Sequence, residues 1–522
     1  MRIFLSGPMG AGKSTVATAV AERLGAPALD LDARVEERVG CTIAEVFRDR
    51  GEAGFRRLER EMAREVIEEA GDVVVALGGG TVTDPATRRL LLSSGLLVTL
   101  TAPVDELARR VGAGEGRPLV AGGDVGRRLS ELLTERADAY AECHAEVGTA
   151  HRTLEQVARE VLAWAADPPV VVPLGRRTYR VEIGAGVRHR LGRRALEASR
   201  GGVAVVVTDG GAAPWAEGAH GNLNAAGRRV VPVTLEAGEE HKTVGSVERI
   251  WDAALDGGLD RDGLVVGVGG GVVGDLTAFA ASTLLRGVAL GQVPTTLLAM
   301  VDSSVGGKTG FDRPQGKNLV GTFHQPRFVL CDVECLSTLP EGERRAGLAE
   351  VAKSAWLDGE ASVSMLERDA RALTEGDPDS TARAIRMSVE LKARIVTEDE
   401  REAGPRMLLN LGHTIGHAIE AAAGYRGIRH GEAVSLGMVA AFRVAEGLGK
   451  APPGLGARME RLLAAFGLPV DLDRHLDDRI LGFVGSDKKR RGDQIRFVVP
   501  AHPGATGIVP IERDALRGLL GR

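Results

Sequence analysis

The sequence predicts an α/β protein in three parts, of which the first two are α/β and the last is mostly helical. Three observations predict this fold class. Short runs of β-branched and leucine residues alternate with amphipathic helical stretches up to about residue 335. Two glycine-rich loops each follow a strand-like run and open a helix, as parallel α/β sheets require. From about residue 336 the pattern is almost wholly helical.

The composition is that of a globular protein with more than one domain. A length of 522 residues exceeds what one hydrophobic core usually serves and predicts about three or four domains. The 70 glycines are nearly twice the usual proportion of about 7%, which indicates tight turns and close backbone approaches to ligands. A net charge of -5 excludes the broad basic surface of nucleic-acid and membrane-surface binders, so we expect neither as a partner.

The cysteines and the N-terminus predict a cytoplasmic protein. Cys41, Cys143, Cys331 and Cys335 are too sparse for a disulfide framework and lack the spacing of a zinc ribbon. The first residues run directly into a glycine loop, without the apolar core of a signal peptide. No apolar stretch reaches the roughly 18 residues that a membrane helix needs. We therefore expect free thiols in a reducing compartment.

The main domain boundary is predicted at residues 165–170, where two prolines separate a helical pattern from a strand-like run. Before it, strands are predicted at 2–5, 73–77 and 96–100, and helices at 14–24 and 54–69. After it, buried-strand runs are predicted at 170–172, 203–207 and 264–268. The predicted domains are therefore 1–166, 170–335 and 336–522.

A phosphate-binding loop lies near the N-terminus. Residues 7–14 read Gly-Pro-Met-Gly-Ala-Gly-Lys-Ser and match the pattern G-x-x-x-x-G-K-[ST] between a predicted strand and a predicted helix. The glycines allow backbone amides to curl around phosphate oxygens, and the helix dipole adds positive potential. Lys13 is expected to contact the β and γ phosphates, while the Ser14 hydroxyl holds Mg²⁺. The loop therefore predicts a nucleotide site.

Further motifs in the first part predict an acceptor that carries a hydroxyl and a carboxylate. Asp30 and Asp32 end a short predicted strand and offer carboxylates for magnesium and for proton transfer. Such a pair alone is usually a turn, but here arginines and a glycine platform accompany it. These motifs are Phe55-Arg56-x-x-Glu59, Gly78-Gly-Gly80, Arg117-Pro-Leu and Arg136 with Tyr140.

With these motifs in this order, residues 1–166 resemble shikimate kinase over their whole length, which implies a P-loop fold of the nucleoside-monophosphate-kinase type. The resemblance implies ATP-dependent 3-phosphorylation of shikimate. It implies Asp32, Lys13 and Arg117 as catalytic residues, with Asp32 as the base and Arg117 in a lid over ATP. It implies that ATP and Mg²⁺ are bound by Gly10, Ala11, Gly12, Lys13, Ser14, Thr15, Asp30 and Arg117. It implies that shikimate is bound by Asp32, Arg56, Gly79, Gly80 and Arg136.

Three of the eleven histidines lie between residues 413 and 430 and predict a metal site. His413 and His417 are four residues apart, so on a helix they share one face and can converge on one cation. His430 supplies a third candidate ligand. The alternative is a solvated helix face or a buried histidine pair, which the third histidine and the surrounding glycines disfavour.

A second glycine loop predicts a dinucleotide site. Gly269-Gly-Gly-Val-Val-Gly-Asp275 follows the predicted strand at 264–268 and opens a helix, so its amides can face a pyrophosphate. Asp209 follows another strand run, and an acidic residue there can bind ribose hydroxyls and favours NAD. Lys308 and Lys317 lie in glycine-rich loops, where an anionic ligand can approach the backbone.

On these motifs, together with Ala349-Glu350-Val-Ala-Lys353 and Asp487-Lys488-Lys489, residues from about 170 to 522 resemble 3-dehydroquinate synthase. The resemblance implies a Rossmann-like NAD-binding domain followed by a helical metal and substrate domain. It implies conversion of 3-deoxy-arabino-heptulosonate 7-phosphate to 3-dehydroquinate and phosphate, with a bound NAD that is reduced and reoxidised in each turnover. The implied metal is zinc or another divalent ion such as cobalt.

The same resemblance implies a role for each matching residue. The metal ligands would be Glu350, His413 and His430, while Lys308, Lys353 and His417 would be catalytic, which leaves His417 facing the substrate. NAD would be bound by Asp209, Glu239, Lys242, Gly270, Gly271, Asp275, Thr295, Thr296, Asp302 and Lys317. The heptulosonate phosphate would be bound by Arg286, Lys308, Asn318, Lys392, Arg406, Asn410 and Lys488.

Two positions depart from the family pattern, since Leu284 replaces a frequent tyrosine and Phe311-Asp312 replaces a common valine-asparagine. The alternatives for this half are a sugar-phosphate cyclase of secondary metabolism and a metal-dependent alcohol dehydrogenase. The alternative for the first half is a non-catalytic ATP-sensing module. The leading hypothesis is a bifunctional enzyme whose two reactions are not consecutive in their pathway, so we expect independent active sites. The family's habit implies a homodimer through the second half.

Overall fold

The computed structural model describes residues 1–69, 71–112, 124–424, 427–484, 490–491 and 494–521. These residues form two compact units, Met1–Arg180 and Val181–Arg522. Each unit has its own sheet and its own hydrophobic core. Within the described residues, no helix combines the length and the apolar character needed to cross a membrane.

The first unit alternates strands and helices. Its strands are β1 (Arg2–Ser6), β2 (Ala28–Asp30), β3 (Val73–Ala76), β4 (Leu96–Thr101), β5 (Ala145–Gly148) and β6 (Val170–Val172). Its helices are α1 (Lys13–Leu24), α2 (Leu31–Val39), α3 (Ile43–Glu68), α4 (Pro85–Ser94), α5 (Val104–Val111), α6 (Val125–Ala141) and α7 (Leu154–Ala166). The strands and helices predicted in this part are confirmed, and the helix predicted at 54–69 extends backwards through a kink at Gly51.

The main sheet of the first unit is parallel, with the strand order β2-β3-β1-β4-β5. Strand β1 is central, and Ile3, Leu5, Val98 and Leu100 on it and on β4 are fully buried among the helices. The phosphate loop leaves the carboxyl end of β1 and enters α1. This arrangement confirms the predicted P-loop kinase fold, because the loop lies where the ends of parallel strands expose backbone amides.

The second unit begins with another α/β part. Its strands are β7 (Tyr179–Gly184), β8 (Val203–Asp209), β9 (Arg229–Leu235), β10 (Leu264–Gly269), β11 (Ala289–Pro294), β12 (Lys308–Arg313), β13 (Gly316–Phe323), β14 (Phe328–Asp332), β15 (Arg490–Arg491), β16 (Gln494–His502) and β17 (Ala505–Glu512). Its helices are α8 (Leu191–Ala198), α9 (Ala213–Ala225), α10 (Val244–Asp256), α11 (Gly271–Thr283), α12 (Glu341–Asp358), α13 (Glu360–Glu375), α14 (Pro378–Glu398), α15 (His413–Ala422), α16 (His430–Gly447), α17 (Leu455–Ala465), α18 (Asp478–Phe483) and α19 (Arg513–Leu519).

Within this unit the strands of the larger sheet follow the order β7-β14-β11-β10-β8-β9, and the strands from β14 to β9 are parallel to their neighbours. Every residue of the central strand β10 is buried, as the continuous apolar run predicted. The glycine loop passes from β10 into α11. The Rossmann-like prediction is confirmed, with β8, β10 and β11 ending at one edge of the sheet.

The last part is mostly helical, as predicted, but the prediction missed an antiparallel sheet of β15, β16 and β17. Strand β16 carries the run Ile495-Arg-Phe-Val-Val-Pro, in which Ile495 and Phe497 are buried and Arg496 is exposed. Gly504 makes the turn to β17 with a φ of 81°. That alternation and that turn were the signals for a hairpin, and the helical pattern around them obscured them.

Candidate active sites

The phosphate loop is built by glycines that no other residue could replace without strain. Gly7, Gly10 and Gly12 have φ values of 132°, 82° and 89°. A Cβ atom at Gly7 would lie 2.3 Å from the carbonyl oxygen of Leu100. Ala11 is buried beneath the loop, and Thr15 lies in the first turn of α1. The loop therefore directs the amides at the start of α1 towards one concave space.

Ser14 and Asp30, the two residues predicted to bind magnesium, lie in contact. The Ser14 hydroxyl donates to Asp30 Oδ2 at 2.6 Å. The other oxygen of Asp30 accepts the Asp32 amide at 3.0 Å and caps α2. Lys13 Nζ donates to the carbonyl oxygens of Gly7 and Pro8 at 2.9 and 3.0 Å, so its ammonium lies over the loop.

Asp32 lies close to a second, deeply buried carboxylate, Glu59. A Cβ atom placed at Gly78 would be 2.6 Å from Asp32 Oδ1 and 2.4 Å from Glu59 Oε1. Asp32 Oδ1 is buried and has no hydrogen-bond partner among the described residues. Burial, followed by the charges of Glu59 and Asp30, raises the pKa of Asp32 from 3.8 to about 6. A carboxyl group with this pKa changes its protonation closer to neutral pH than an ordinary aspartate does.

Arginines and a glycine platform surround these carboxylates. Arg56 forms an ion pair with Glu59, and Thr81 Oγ1 donates to Glu59 Oε1 at 2.6 Å. The Arg56 guanidinium lies against Gly80, where a Cβ atom would be 2.1 Å from Nη2. Arg136 Nη1 and the Tyr140 hydroxyl both donate to the Gly79 carbonyl, at 2.9 and 2.5 Å. The residues predicted to bind shikimate therefore converge, and Arg117 lies outside the described residues.

Three ligand candidates for a metal ion converge from three helices of the second unit. Glu350 lies on α12, while His413 and His430 are the first residues of α15 and α16. Glu350 Oε1 is 3.5 Å from His413 Nε2 and 3.7 Å from His430 Nε2. All three ligand atoms lie within 4.8 Å of one another. Both Glu350 oxygens are buried and make no hydrogen bond of good geometry within the described residues, although Lys353 forms an ion pair with Oε2.

Both histidines have the orientation of metal ligands. His413 Nδ1 lies 3.1 Å from the Leu411 carbonyl oxygen, and His430 Nδ1 lies 3.1 Å from Glu420 Oε2. With Nδ1 engaged in this way, each ring directs Nε2 towards Glu350. Burial, then the charge of Lys353, lowers the pKa of His413 well below its ordinary value, so this ring is neutral. Two imidazoles and one carboxylate fit Zn²⁺ or Co²⁺.

His417 contacts the same cluster from a different position. Its ring centroid is 5.2 Å from that of His413 and 6.1 Å from that of His430. Its ligand atoms group with Glu420 and His430, whereas those of Glu350 group with His413 and His430. The initial idea of two ligands on one helical face therefore has less geometric support than the set that contains Glu350. Glu420 was not predicted to take part.

Glycines allow the three helices to approach each other closely. A Cβ atom at Gly431, next to His430, would lie 1.9 Å from the carbonyl oxygen of Ala346 on α12. A Cβ atom at Gly437 on α16 would lie 1.8 Å from the carbonyl oxygen of Gly412, which caps α15. The backbones of these helices are thus in contact beside His413 and His430, two of the metal-ligand candidates.

Lysines paired with carboxylates line the space around this cluster. Lys353 forms an ion pair with Glu350, and both side chains are buried. Burial would raise the pKa of Glu350, but the charge of Lys353 outweighs burial and holds the pKa below its ordinary value. Lys392 forms an ion pair with Asp302, and burial lowers the pKa of Lys392 to about 8. Asp302, expected on the NAD side, thus contacts a residue expected to bind substrate.

The residues predicted to bind NAD meet at the carboxyl edge of the sheet. Asp209 ends β8, Gly270 and Gly271 follow β10, and Thr295 and Thr296 follow β11. A Cβ atom at Gly270 would lie 3.1 Å from Thr296 Cγ2, so these two loops are in contact. Lys242 Nζ lies 2.6 Å from Asp275 Oδ2. Lys317 Nζ lies 3.4 Å from Glu239 Oε1, which brings two further members of the set together.

The candidate phosphate and carboxylate contacts include a residue that sequence reasoning missed. Glu402 forms an ion pair with Lys308 and accepts a hydrogen bond from Asn410 Nδ2 at 2.9 Å. Arg406 Nη2 donates to the Gly306 carbonyl at 3.0 Å. The backbone amide of Asn318 donates at 2.8 Å to Oδ1 of Asp312, which belongs to one of the two departures from the family pattern. Arg286 adopts a left-handed backbone conformation, with a φ of 72°. Lys488, also predicted to bind the phosphate, lies outside the described residues.

Comparisons with known proteins identify the families that the two parts of the chain match. Residues 9–166 match the family model of shikimate kinase. Residues 232–346 match that of the N-terminal part of 3-dehydroquinate synthase, and residues 347–490 match that of its C-terminal part. The chain is 45% identical over 353 residues to the 3-dehydroquinate synthase of Pelobacter propionicus, covering 67% of this chain and 98% of that protein. It is 44% identical over 360 residues to the 3-dehydroquinate synthase of Caulobacter vibrioides, covering 67% and 97%.

Solved structures resemble the second unit more distantly. A 2-deoxy-scyllo-inosose synthase in complex with carbaglucose-6-phosphate, NAD⁺ and Co²⁺ is 25% identical with a TM-score of 0.61, covering 67% of this chain and 99% of that one. The 2-epi-5-epi-valiolone synthase of Streptomyces hygroscopicus, with NAD⁺ and Zn²⁺ bound, is 26% identical with a TM-score of 0.59, covering 66% and 95%.

Proposed function

The chain belongs to the 3-dehydroquinate synthase family over its larger part and to the shikimate kinase family over residues 9–166, and from this premise we propose which of its residues carry each reaction. It is a bifunctional enzyme of the shikimate pathway. One activity phosphorylates the 3-hydroxyl of shikimate with ATP. The other converts 3-deoxy-arabino-heptulosonate 7-phosphate to 3-dehydroquinate and phosphate. A cyclase of secondary metabolism, an alcohol dehydrogenase and a non-catalytic first domain are not favoured. Curated relatives of the second part are named 3-dehydroquinate synthases, and residues 9–166 match the shikimate kinase model.

For the kinase, we assign the proton transfer to Asp32. Its raised pKa, at about 6, supports a base that is mostly ionised at pH 7 and still basic enough to accept the 3-hydroxyl proton. Ser14 and Asp30 would hold Mg²⁺, which when bound offsets the charge of the phosphates. Lys13 would exchange its contacts with Gly7 and Pro8 for phosphate oxygens. Arg56 and Arg136 would hold the shikimate carboxylate against the platform of Gly79 and Gly80.

For the synthase, we assign metal binding to Glu350, His413 and His430. The single observation that carries this assignment is the convergence of Glu350 Oε1 and two Nε2 atoms from three helices. The solved relatives with NAD⁺ and Co²⁺ or Zn²⁺ support the same cofactors here. When bound, the cation lowers the pKa of substrate hydroxyls and the nicotinamide takes and returns a hydride.

The remaining residues would bind and enclose the substrate. Lys392, Arg406 and Asn410 would hold its carboxylate end, and Arg286, Lys308 and Asn318 its phosphate. Lys353 and His417 would complete the pocket next to the metal. Asp209, the loop at Gly270 and the threonines after β11 would hold NAD at the edge of the sheet.

We also propose a cytoplasmic location and a homodimer through the synthase half, for which the family's habit is the support. Sedimentation analysis over a range of protein concentrations tests the dimer, and a monomer throughout contradicts it. Both activities are tested together on one purified chain by ADP release with shikimate and by phosphate release from the heptulosonate phosphate. Sedoheptulose 7-phosphate is the competing substrate in the second assay. Its turnover at a higher rate would favour a cyclase of secondary metabolism instead.

A further inference from the structure

We propose that Glu420 is a positioning residue that orients the metal-facing His430 and links it to Lys317 on the NAD side of the pocket. The inference rests on the proposed metal site and adds to it a residue with no role assigned so far. Glu420 lies on α15 and has a side chain that is 4% exposed. It is seven residues after His413, which places both on the same face of this helix. Its carboxylate is therefore aimed into the cluster.

One oxygen of Glu420 sets the orientation of His430. Glu420 Oε2 is 3.1 Å from His430 Nδ1, while the opposite ring nitrogen, Nε2, lies 3.7 Å from Glu350 Oε1. An imidazole that binds a cation through Nε2 carries its proton on Nδ1, and a carboxylate is a strong acceptor for that proton. The hydrogen bond thus selects the tautomer and fixes the ring plane. His413 reaches the same orientation with a neutral acceptor, the Leu411 carbonyl.

The other oxygen of Glu420 faces the NAD side. Lys317 Nζ donates to Glu420 Oε1 at 3.2 Å and lies 3.4 Å from Glu239 Oε1. Lys317 comes from the hairpin of β12 and β13, 103 residues before Glu420 in the chain. One buried carboxylate therefore stands between a histidine that faces the metal and a lysine that faces the dinucleotide. Replacing Glu420 would therefore affect both metal binding and NAD binding.

The competing role for Glu420 is that of a direct metal ligand, because its ligand atoms group with those of His417 and His430. The pairing observed disfavours this role. Glu420 Oε2 occupies the Nδ1 side of His430, whereas the cation that Glu350 and His413 can share lies on the Nε2 side. The two nitrogens point in divergent directions from one ring, so Glu420 cannot serve as acceptor at Nδ1 and as ligand to that cation.

The test uses the full chain loaded with Co²⁺, whose visible absorption reports the ligand set. Glu420→Gln keeps the size of the side chain and removes the charge. We expect Co²⁺ to pass to a chelator about 10–100-fold faster than from the wild type, with the absorption band unchanged. We also expect NAD⁺ to bind more weakly by calorimetry. Lys317→Gln should weaken NAD⁺ binding and leave the rate of Co²⁺ loss unchanged.

Glu182→Gln is the matched control, because Glu182 is a buried carboxylate of the same unit that is paired with Arg190 and Arg194. It should leave Co²⁺ loss and NAD⁺ binding as in the wild type. An unchanged rate of Co²⁺ loss in Glu420→Gln would overturn the positioning role, and an altered absorption band would make Glu420 a ligand. Unchanged NAD⁺ binding would overturn the link to Lys317. If His413→Ala and His430→Ala retain Co²⁺, the proposed metal site itself fails.

Discussion

Asp32 Oδ1 and Glu59 Oε1 approach Gly78 together, so closely that a side chain at this glycine would contact both carboxylates. Burial raises the pKa of Asp32, and the negative charge of Glu59 raises it further. Glu59 is in turn held by Arg56 and Thr81. The proposed base of the kinase is therefore tuned by a residue that does not itself contact the reacting hydroxyl in our assignment.

The first prediction concerns the pH dependence of the kinase. Only the ionised form of Asp32 accepts a proton, so kcat/KM for shikimate should rise with pH through about 6 and then level off. Glu59→Gln removes a neighbouring negative charge and should move this rise to lower pH. The measurement is kcat/KM from pH 5 to 9 at saturating ATP. A rise at the same pH in both proteins would show that Glu59 does not tune Asp32.

The second prediction concerns stability. The pKa of Asp32 is raised on folding, so its protonated form favours the folded state, and stability is lost as pH rises from about 4 through about 6. Asp32→Asn cannot ionise and should stabilise the first unit by up to about 3 kcal/mol at pH 8, with no gain near pH 3. The measurement is the thermal transition that ATP shifts in the full chain. A gain that is equal at both pH values would point to a cause other than ionisation.

The third prediction concerns the independence of the two sites. Lys13→Ala should lower the ATP-dependent phosphorylation of shikimate by about 100–1,000-fold, because a positive charge on the transferred phosphate is lost. Phosphate release from the heptulosonate phosphate should be unchanged, since each unit has its own sheet and its own set of site residues. An equal fall in both activities would mean that the sites are coupled.

The fourth prediction separates the three histidines. His413→Ala and His430→Ala should lose bound zinc, because each removes a nitrogen that faces Glu350. His417→Ala should keep the zinc and lose turnover of the heptulosonate phosphate. Metal analysis of the purified variants, together with the phosphate-release assay, gives the answer. Loss of zinc in all three would restore the first interpretation, in which His413 and His417 bind the metal from one helical face.

The fifth prediction concerns the backbone contact between α12 and α16. Gly431→Ala would place a Cβ atom 1.9 Å from the Ala346 carbonyl oxygen, so the helices that carry Glu350 and His430 must separate. We expect weaker zinc binding and a lower melting temperature of the second unit. Gly218→Ala is the control, because Gly218 is exposed on α9 with open space around it. That change should be neutral or stabilise by about 0.5–1 kcal/mol.

Much of this architecture can be predicted from the chain alone, because local patterns carry it. The phosphate loop, the buried strand β10 and its glycine loop each occupy a continuous stretch in which pattern and structure coincide. Glu402 and Glu420 could not be predicted as partners of lysines, because each contacts a lysine that is distant in the sequence. Glu402 is 94 residues from Lys308, and Glu420 is 103 residues from Lys317. No local signal relates such positions, and a lone glutamate in a helix or loop reads as solvent-exposed.

The paired lysines of the synthase unit have a consequence for how a sugar acid that carries both a carboxylate and a phosphate enters. The pairs next to the proposed substrate site are Lys308 with Glu402, Lys353 with Glu350 and Lys392 with Asp302. Because each of these lysines is already neutralised by a carboxylate, the group exerts little long-range electrostatic attraction on an anionic substrate. Small inorganic anions gain little there, whereas a molecule that meets several lysines at once can displace the internal carboxylates together. The rate of substrate association should therefore depend only weakly on ionic strength. Selectivity arises because the spacing of the substrate's anionic groups matches the spacing of the lysines.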